Sequence, residues 1–264
     1  MTKTIHPIGI FDSGIGGTSI WKEIHSLLPF EDTLYLSDSK NAPYGNKTKD
    51  EIVHLAIKNT EYLLEKNSKI IVIACNTATT NAIKVLRQNY DVPIIGIEPA
   101  IKPAALRTQT NIIGILATKG TLNSELFETT SSNLISNPKI IEQIGEGLVD
   151  LIENGKIISE EMDALLNKYL NPMIEANADH IVLGCTHYPY LKPQIQKIVG
   201  SSVTIIDSGH AVAIQTKNVL SKHQLLNTQK RTATNLFLIN KNKSVLSNIL
   251  SDYLPSISIE EVDF

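Results

Sequence analysis

The 264-residue chain holds only two cysteines, one tryptophan and three methionines, and aromatic residues make up 5% of it. Two cysteines are too few for the disulfide framework of a small secreted fold, and a chain of this length can bury a sizeable core without one. No run of about 18 apolar residues occurs, so no membrane-spanning helix is expected. The opening stretch Met1-Thr2-Lys3-Thr4-Ile5-His6-Pro7 lacks an apolar core of signal-peptide length. Basic residues form no dense block and the net charge is −3, which argues against nucleic acid and anionic membrane as partners. The expectation is a cytoplasmic protein with reduced thiols, in which a Cys75–Cys185 disulfide is disfavoured. Zinc fits poorly too, because no second Cys/His pair accompanies Cys185 and His187 at finger-like spacing; no metal is expected.

What the chain does have is alternation. Ile-, Val- and Leu-rich segments at 8–11, 33–36, 69–74, 94–97, 112–116, 181–184 and 203–206 read as strands, with a further strand at 235–239. Amphipathic segments at 48–66, 76–88, 159–176, 193–199 and 210–220 read as helices. This β/α order predicts parallel sheets covered by helices, an α/β fold. The halves also resemble each other: Ile8-Gly9-Ile10-Phe11-Asp12-Ser13-Gly14 matches Ile113-Gly114-Ile115-Leu116-Ala117-Thr118-Lys119-Gly120, and the two cysteine segments recur at nearly the same offset. A duplicated unit follows, hence two similar, pseudo-symmetric domains with a site in the cleft between them. The prolines of Glu98-Pro99-Ala100-Ile101-Lys102-Pro103 mark the boundary, giving residues 1–98 plus 209–264 as the first domain and 99–208 as the second.

Both cysteines end a hydrophobic strand: Ile70-Ile71-Val72-Ile73-Ala74-Cys75-Asn76-Thr77-Ala78 and His180-Ile181-Val182-Leu183-Gly184-Cys185-Thr186-His187-Tyr188. The carboxyl ends of parallel strands are where open α/β sheets carry their ligands. Either cysteine alone reads equally as a buried core thiol, and Asn76, Thr77, Thr186 and His187 read equally as helix caps. A helix N-terminus would lower a thiol's pKa toward neutrality, and His187 could tune Cys185. Two thiols facing each other across a substrate can remove a proton from one face of a carbon and return one to the other, which is racemisation or epimerisation. The carbanion then needs fixed hydrogen-bond donors around the substrate carboxylate in a closed cleft. No pyridoxal-phosphate, flavin or nicotinamide site is evident, so no cofactor is expected.

Asp12-Ser13-Gly14-Ile15-Gly16-Gly17-Thr18 is a strand end running through a glycine-rich turn into a helix that begins near Thr18. Its backbone N–H groups could cradle an anion, or its glycines could serve only a tight turn and close packing. Ser19 breaks the dinucleotide fingerprint and no Walker lysine is present. Ala42-Pro43-Tyr44-Gly45-Asn46 is a turn by its own chemistry.

Taken in order, Gly9 to Gly17, Ala42 to Gly45, Ala74 to Ala78, Leu183 to Pro189 and Ile206 to Gly209 closely resemble the glutamate racemases of the cofactor-independent aspartate/glutamate racemase family. The resemblance implies an isomerase that interconverts L- and D-glutamate, supplies D-glutamate for peptidoglycan, and is commonly a homodimer. It implies that Cys75 takes the proton from D-glutamate and Cys185 from L-glutamate, assisted by Asp12, His187 and a glutamate that falls at Glu153. It implies that Asp12, Ser13, Tyr44, Gly45, Asn76, Thr77, Thr118, Thr121, Thr186 and His187 hold the substrate. Thr18 stands where a leucine is common. The sequence starts without the extension that some members use for activation by a peptidoglycan precursor, so that regulation is not expected. An aspartate or hydantoin racemase of the same fold is the neighbouring reading. A non-catalytic carboxylate-binding module with merely buried cysteines is the remote one.

Overall fold

A computed structural model describes residues 3–134 and 137–264; Met1 and Thr2, the start of the stretch read for a signal peptide, lie outside them. Ten strands are present among the described residues: β1 (Ile8–Asp12), β2 (Thr33–Ser37), β3 (Ile70–Ile73), β4 (Ile94–Gly96), β5 (Ile112–Ala117), β6 (Lys139–Ile144), β7 (His180–Gly184), β8 (Thr204–Ile206), β9 (Asn235–Ile239) and β10 (Ser258–Glu261). They form two wholly parallel sheets, ordered β10-β9-β2-β1-β3-β4 and β6-β5-β7-β8. The inner four strands of the first sheet, β2-β1-β3-β4, repeat the order β6-β5-β7-β8 of the second. The duplication read from two short motifs is thus a duplication of topology, and β3 corresponds to β7.

Why these segments are central strands is plain from their burial. Every residue of β1, β2, β3 and β7 is buried, as continuous β-branched and aliphatic runs require when helices cover both faces of a parallel sheet. The helices begin where their sequences say they should. Thr48 and Glu51 form a capping box at the start of the helix Lys49–Glu65, and Ser159 caps Glu160–Glu175. Pro103 lies in the first turn of the helix Ile101–Arg107, where a missing N–H costs nothing. No helix of the described residues is long and apolar enough to cross a membrane.

Two strands escaped the sequence reading, β6 and β10. Both are edge strands whose residues are half-buried or exposed, and charges at Lys139, Glu142, Glu260 and Glu261 break their hydrophobic pattern. Charged residues on an edge also discourage pairing with another chain.

The chain returns to the first sheet near Asn227, and a buried ion pair fastens that return. Glu31 pairs with Lys69, both side chains almost fully buried, while the other Glu31 oxygen accepts from Asn227 N–H at 2.7 Å. Removing the carboxylate would strand the ammonium in an apolar setting. Glu31→Ala is therefore expected to cost about 3–5 kcal/mol of stability, read as a lowered urea midpoint with the native circular dichroism spectrum retained below it.

Candidate active site

The residues that follow β1, β3 and β7 meet at one cavity. It is lined by Ser13, Pro43, Tyr44, Gly45, Cys75, Asn76, Thr77, Thr118, Val149, Cys185, Thr186 and His187. Both thiols are free and nearly buried, at 4% and 7% exposure. The cavity is closed, with about 10 Å³ of free space, room for about one water molecule. Among the described residues, no group of three or more His, Cys, Asp or Glu side chains is arranged to hold a metal ion.

Cys75 is itself the N-cap of the helix Asn76–Asn89, its Sγ accepting from Ala78 N–H at 3.4 Å. The Asp12 carboxyl is a charged neighbour, and the Cys75 Sγ donates to Ser13 Oγ at 3.5 Å. The expected lowering of its pKa does not hold in this closed state. Burial pushes the Cys75 thiol far above its ordinary range and the Asp12 charge adds to this, while Ser13 and the Ala78 N–H oppose it more weakly. Asp12 in turn is pushed up to about 6 by burial, against the lowering effect of His187 and the Gly17 N–H.

Cys185 follows β7 and has His187 Nδ1 3.7 Å from its Sγ. The far side of that ring meets Glu153, whose Oε1 is 2.6 Å from Nε2. Gly16 N–H also points at Nε2 from 3.2 Å. These contacts are alternatives: a protonated Nε2 donates to Glu153, a bare one accepts from Gly16. Burial alone would lower the His187 pKa, but its contacts with Cys185 and Glu153 outweigh burial and hold it well above the usual value.

The glycine turn resolves its two readings in favour of close packing. Gly14 and Gly17 N–H donate to Asp12 Oδ2 at 3.3 and 2.8 Å, and Ile15 N–H donates to Glu153 Oε1 at 2.6 Å. The anion cradle is occupied by the protein's own carboxylates. Thr18 has a partner of its own, its Oγ1 lying 2.5 Å from the Tyr190 hydroxyl of the other sheet's domain.

Asn76 and Thr77 stand in the first turn of their helix and do not cap it; His187 makes no side-chain cap either. Both polar side-chain atoms of Asn76 are buried without a hydrogen-bond partner, at the wall of a cavity that a polar ligand would enter. Thr186 Oγ1 donates to Asp12 Oδ1 at 3.3 Å. Thr77 Oγ1 lies 2.8 Å from Thr118 Oγ1 and 3.3 Å from Thr121 Oγ1, a hydroxyl cluster across the cleft. Gly45 lies under Thr118, where an added methyl group would come within 2.9 Å of its Cβ. Asp12, Glu153 and Thr121 stand one layer behind the cavity wall rather than in it.

Sequence reading missed Val149, Asp38 and Ser39. Asp38 is fully buried, accepts from the Tyr44 hydroxyl at 2.6 Å and from Asn41 and Asn240 at 2.8 and 2.7 Å, and so fixes the Tyr44 turn. Its only sequence signal was its place at a strand's carboxyl end.

Residues 16–216 match the family described as Asp/Glu/Hydantoin racemase. A glutamate racemase of Cupriavidus pinatubonensis is 48% identical over 219 residues, 83% of this chain and 80% of that protein. Among solved structures, a glutamate racemase of Bacillus anthracis superposes with a TM-score of 0.87 at 30% identity, covering 98% of both chains. One of Francisella tularensis, solved with D-glutamate, gives 0.85 at 29% identity, also over 98% of both.

The Asp12 shift has a direction in stability. Folded Asp12 keeps its proton up to about pH 6, whereas the ordinary value of its carboxyl is 3.8, so the native state binds more protons between those values and stability falls as pH rises through them. Relative to Asp12→Asn, the wild type is expected to lose about 2–3 kcal/mol between about pH 4 and pH 6.5, measured as the difference of the two proteins' urea unfolding free energies at each pH.

Proposed function

Because the chain belongs to the Asp/Glu/hydantoin racemase family, we propose that it is the member that interconverts L- and D-glutamate with two cysteines. The observation that carries this reading is that thiols from the equivalent ends of β3 and β7 line one closed cavity. A thiolate at Cys75 removes the α-proton of D-glutamate while the Cys185 thiol protonates the opposite face; L-glutamate reverses the roles. Each pass leaves the former acid as thiolate and the former base as thiol.

The ligand-free site disfavours a Cys75 thiolate, and the substrate changes that balance. Its α-ammonium, the one positive charge of a substrate that also carries two carboxylates, favours the thiolate form where it lies beside the thiol, while polar groups such as the Asn76 amide offset the carboxylates. Asp12, whose carboxyl burial pushes up to about 6 beside Cys75, is placed to take the proton of that thiol. On the other side, His187, held above its usual pKa by its contacts with Cys185 and Glu153, stands 3.7 Å from the Cys185 sulfur as its assisting group. Asn76, with its unsatisfied amide, together with Ser13, Tyr44, Gly45, Thr77, Thr118, Thr186 and His187, holds the substrate's charged groups, with Thr121 behind Thr77 and Thr118, and donors aimed at the α-carboxylate lower the carbanion's energy. A cavity with room for about one water cannot admit glutamate as it stands, so the domains, 1–98 with 209–264 and 99–208, part to load it. The enzyme is read as a cytoplasmic homodimer supplying D-glutamate to peptidoglycan, in keeping with the resemblance stated above.

The test is proton NMR with L- and D-glutamate in D2O, followed alongside circular dichroism of the mixture. Loss of the α-proton signal with decay of optical activity is expected for both enantiomers without added cofactor. Exchange of aspartate but not glutamate would move the substrate, and binding without exchange would return the site to a carboxylate-binding module. Cys75→Ser and Cys185→Ser should each lose about 10²–10⁴-fold in racemisation with the fold retained; near-normal activity in either would sink the two-thiol scheme.

A further inference from the structure

One buried hydroxyl has no part in the scheme above. Ser39, just past the end of β2, is 4% exposed and its Oγ donates to Glu153 Oε2 at 2.7 Å. The other oxygen of that carboxylate accepts from Ile15 N–H and meets His187 Nε2, both at 2.6 Å. Ser37 Oγ lies 3.1 Å from Ser39 Oγ and steadies it from the same sheet. Glu153 and His187 belong to the chain segment of the second sheet; Ser39, Ser37 and Ile15 belong to the first. The carboxylate that faces His187 is therefore held by donors from across the cleft.

We propose that Ser39 is a positioning residue that, with the Ile15 N–H, locks the Glu153 carboxylate against His187, so that the Cys185 side of the site is aligned only while the two domains are closed. This rests on the racemase reading for its catalytic consequence, though not for its geometry. The Glu153 carboxylate, fixed 2.6 Å from Nε2 by these two donors, favours a protonated His187. The other titratable groups facing this pair are Cys185 beside His187, Asp12 across from both, and Tyr35 beneath Glu153. None of them supplies a hydrogen bond to Glu153 that could stand in for Ser39. Opening the cleft breaks the Ser39 and Ile15 contacts together, freeing the Glu153 side chain when substrate enters or leaves. Water is thus kept from meeting an aligned base.

Ser39→Ala and Ser39→Thr test this in the full chain. Ser39→Ala removes volume rather than adding it and keeps the fold. It is expected to lower kcat about tenfold, the factor that one lost hydrogen bond to a charged group carries, with KM changed by less than about twofold. The His187 imidazole titration, followed by NMR without substrate, should move to lower pH by about one unit. Ser39→Thr, which keeps the hydroxyl, should restore both. A His187 titration unmoved in Ser39→Ala overturns the proposal, whether kcat falls or not, and so does a fall in kcat that Ser39→Thr fails to restore while the titration stays put. If the wild type exchanges no α-proton, the racemase reading fails separately, and the substrate-free titration still decides the role of Ser39.

Discussion

The turn from Asp12 to Gly17 is the constraint on which the site depends, because three of its positions cannot carry a side chain. A methyl group at Gly14 would overlap the Glu153 carboxylate, one at Gly16 would overlap the His187 ring, and one at Gly17 would come within 2.6 Å of Asp12 Cβ. None of these glycines has a positive φ; those that do are Gly147, Gly155 and Gly200. Glycine is needed here for approach, not for an unusual backbone angle. The closeness lets four successive N–H groups, from Gly14 to Gly17, reach Asp12, Glu153 and His187. One turn thereby holds the assisting groups of both thiols and draws the two sheets' domains together.

Two opposing electrostatic effects act on the Cys75 thiol, and magnitude decides between them. A helix N-terminus contributes about 0.3–1 kcal/mol to a nearby negative charge. Complete burial of a thiolate costs several times that when nothing positive accompanies it. The Cys75 shift runs upward for this reason, although Ala78 N–H and Ser13 both favour the anion. The same closed walls that raise the thiol also magnify any charge that enters.

Much of this was legible in the sequence, for a physical reason. Central parallel strands must be apolar on both faces, so β1, β3, β5 and β7 announced themselves as unbroken aliphatic runs. The two cysteines followed from standing at the ends of two of them. The edge strands β6 and β10 did not, because one flank of each meets solvent and tolerates Glu and Lys. Ser39 and Asp38 were illegible for a different reason: their work is done on residues far along the chain, Glu153 and Asn240. Neither spacing nor propensity records such contacts. Glu153 itself came only from the family resemblance. Thr18, which departs from the family's usual leucine, is explained by a hydroxyl partner, Tyr190, that no local pattern could have supplied.

The duplicated topology does not extend to the assistants of the two thiols. Cys75 is served by Asp12 and Ser13 from the neighbouring strand β1 of its own sheet. The equivalent strand β5 ends in Ala117 and Thr118, with no carboxylate, and Cys185 relies instead on His187 and Glu153. One thiol thus stands beside a carboxyl pushed up to about 6 by burial, the other beside an imidazole held above its usual value. Yet enantiomers have equal free energy in water, so an enzyme acting on both must have the same kcat/KM in each direction. Unequal thiols therefore cannot favour one product. Their asymmetry is confined to how tightly each enantiomer is held and how fast the bound form turns over, which trade against each other at fixed kcat/KM. The pseudo-symmetry of the fold brings two thiols to one cavity from equivalent strand ends, and the surroundings of those thiols are free to differ.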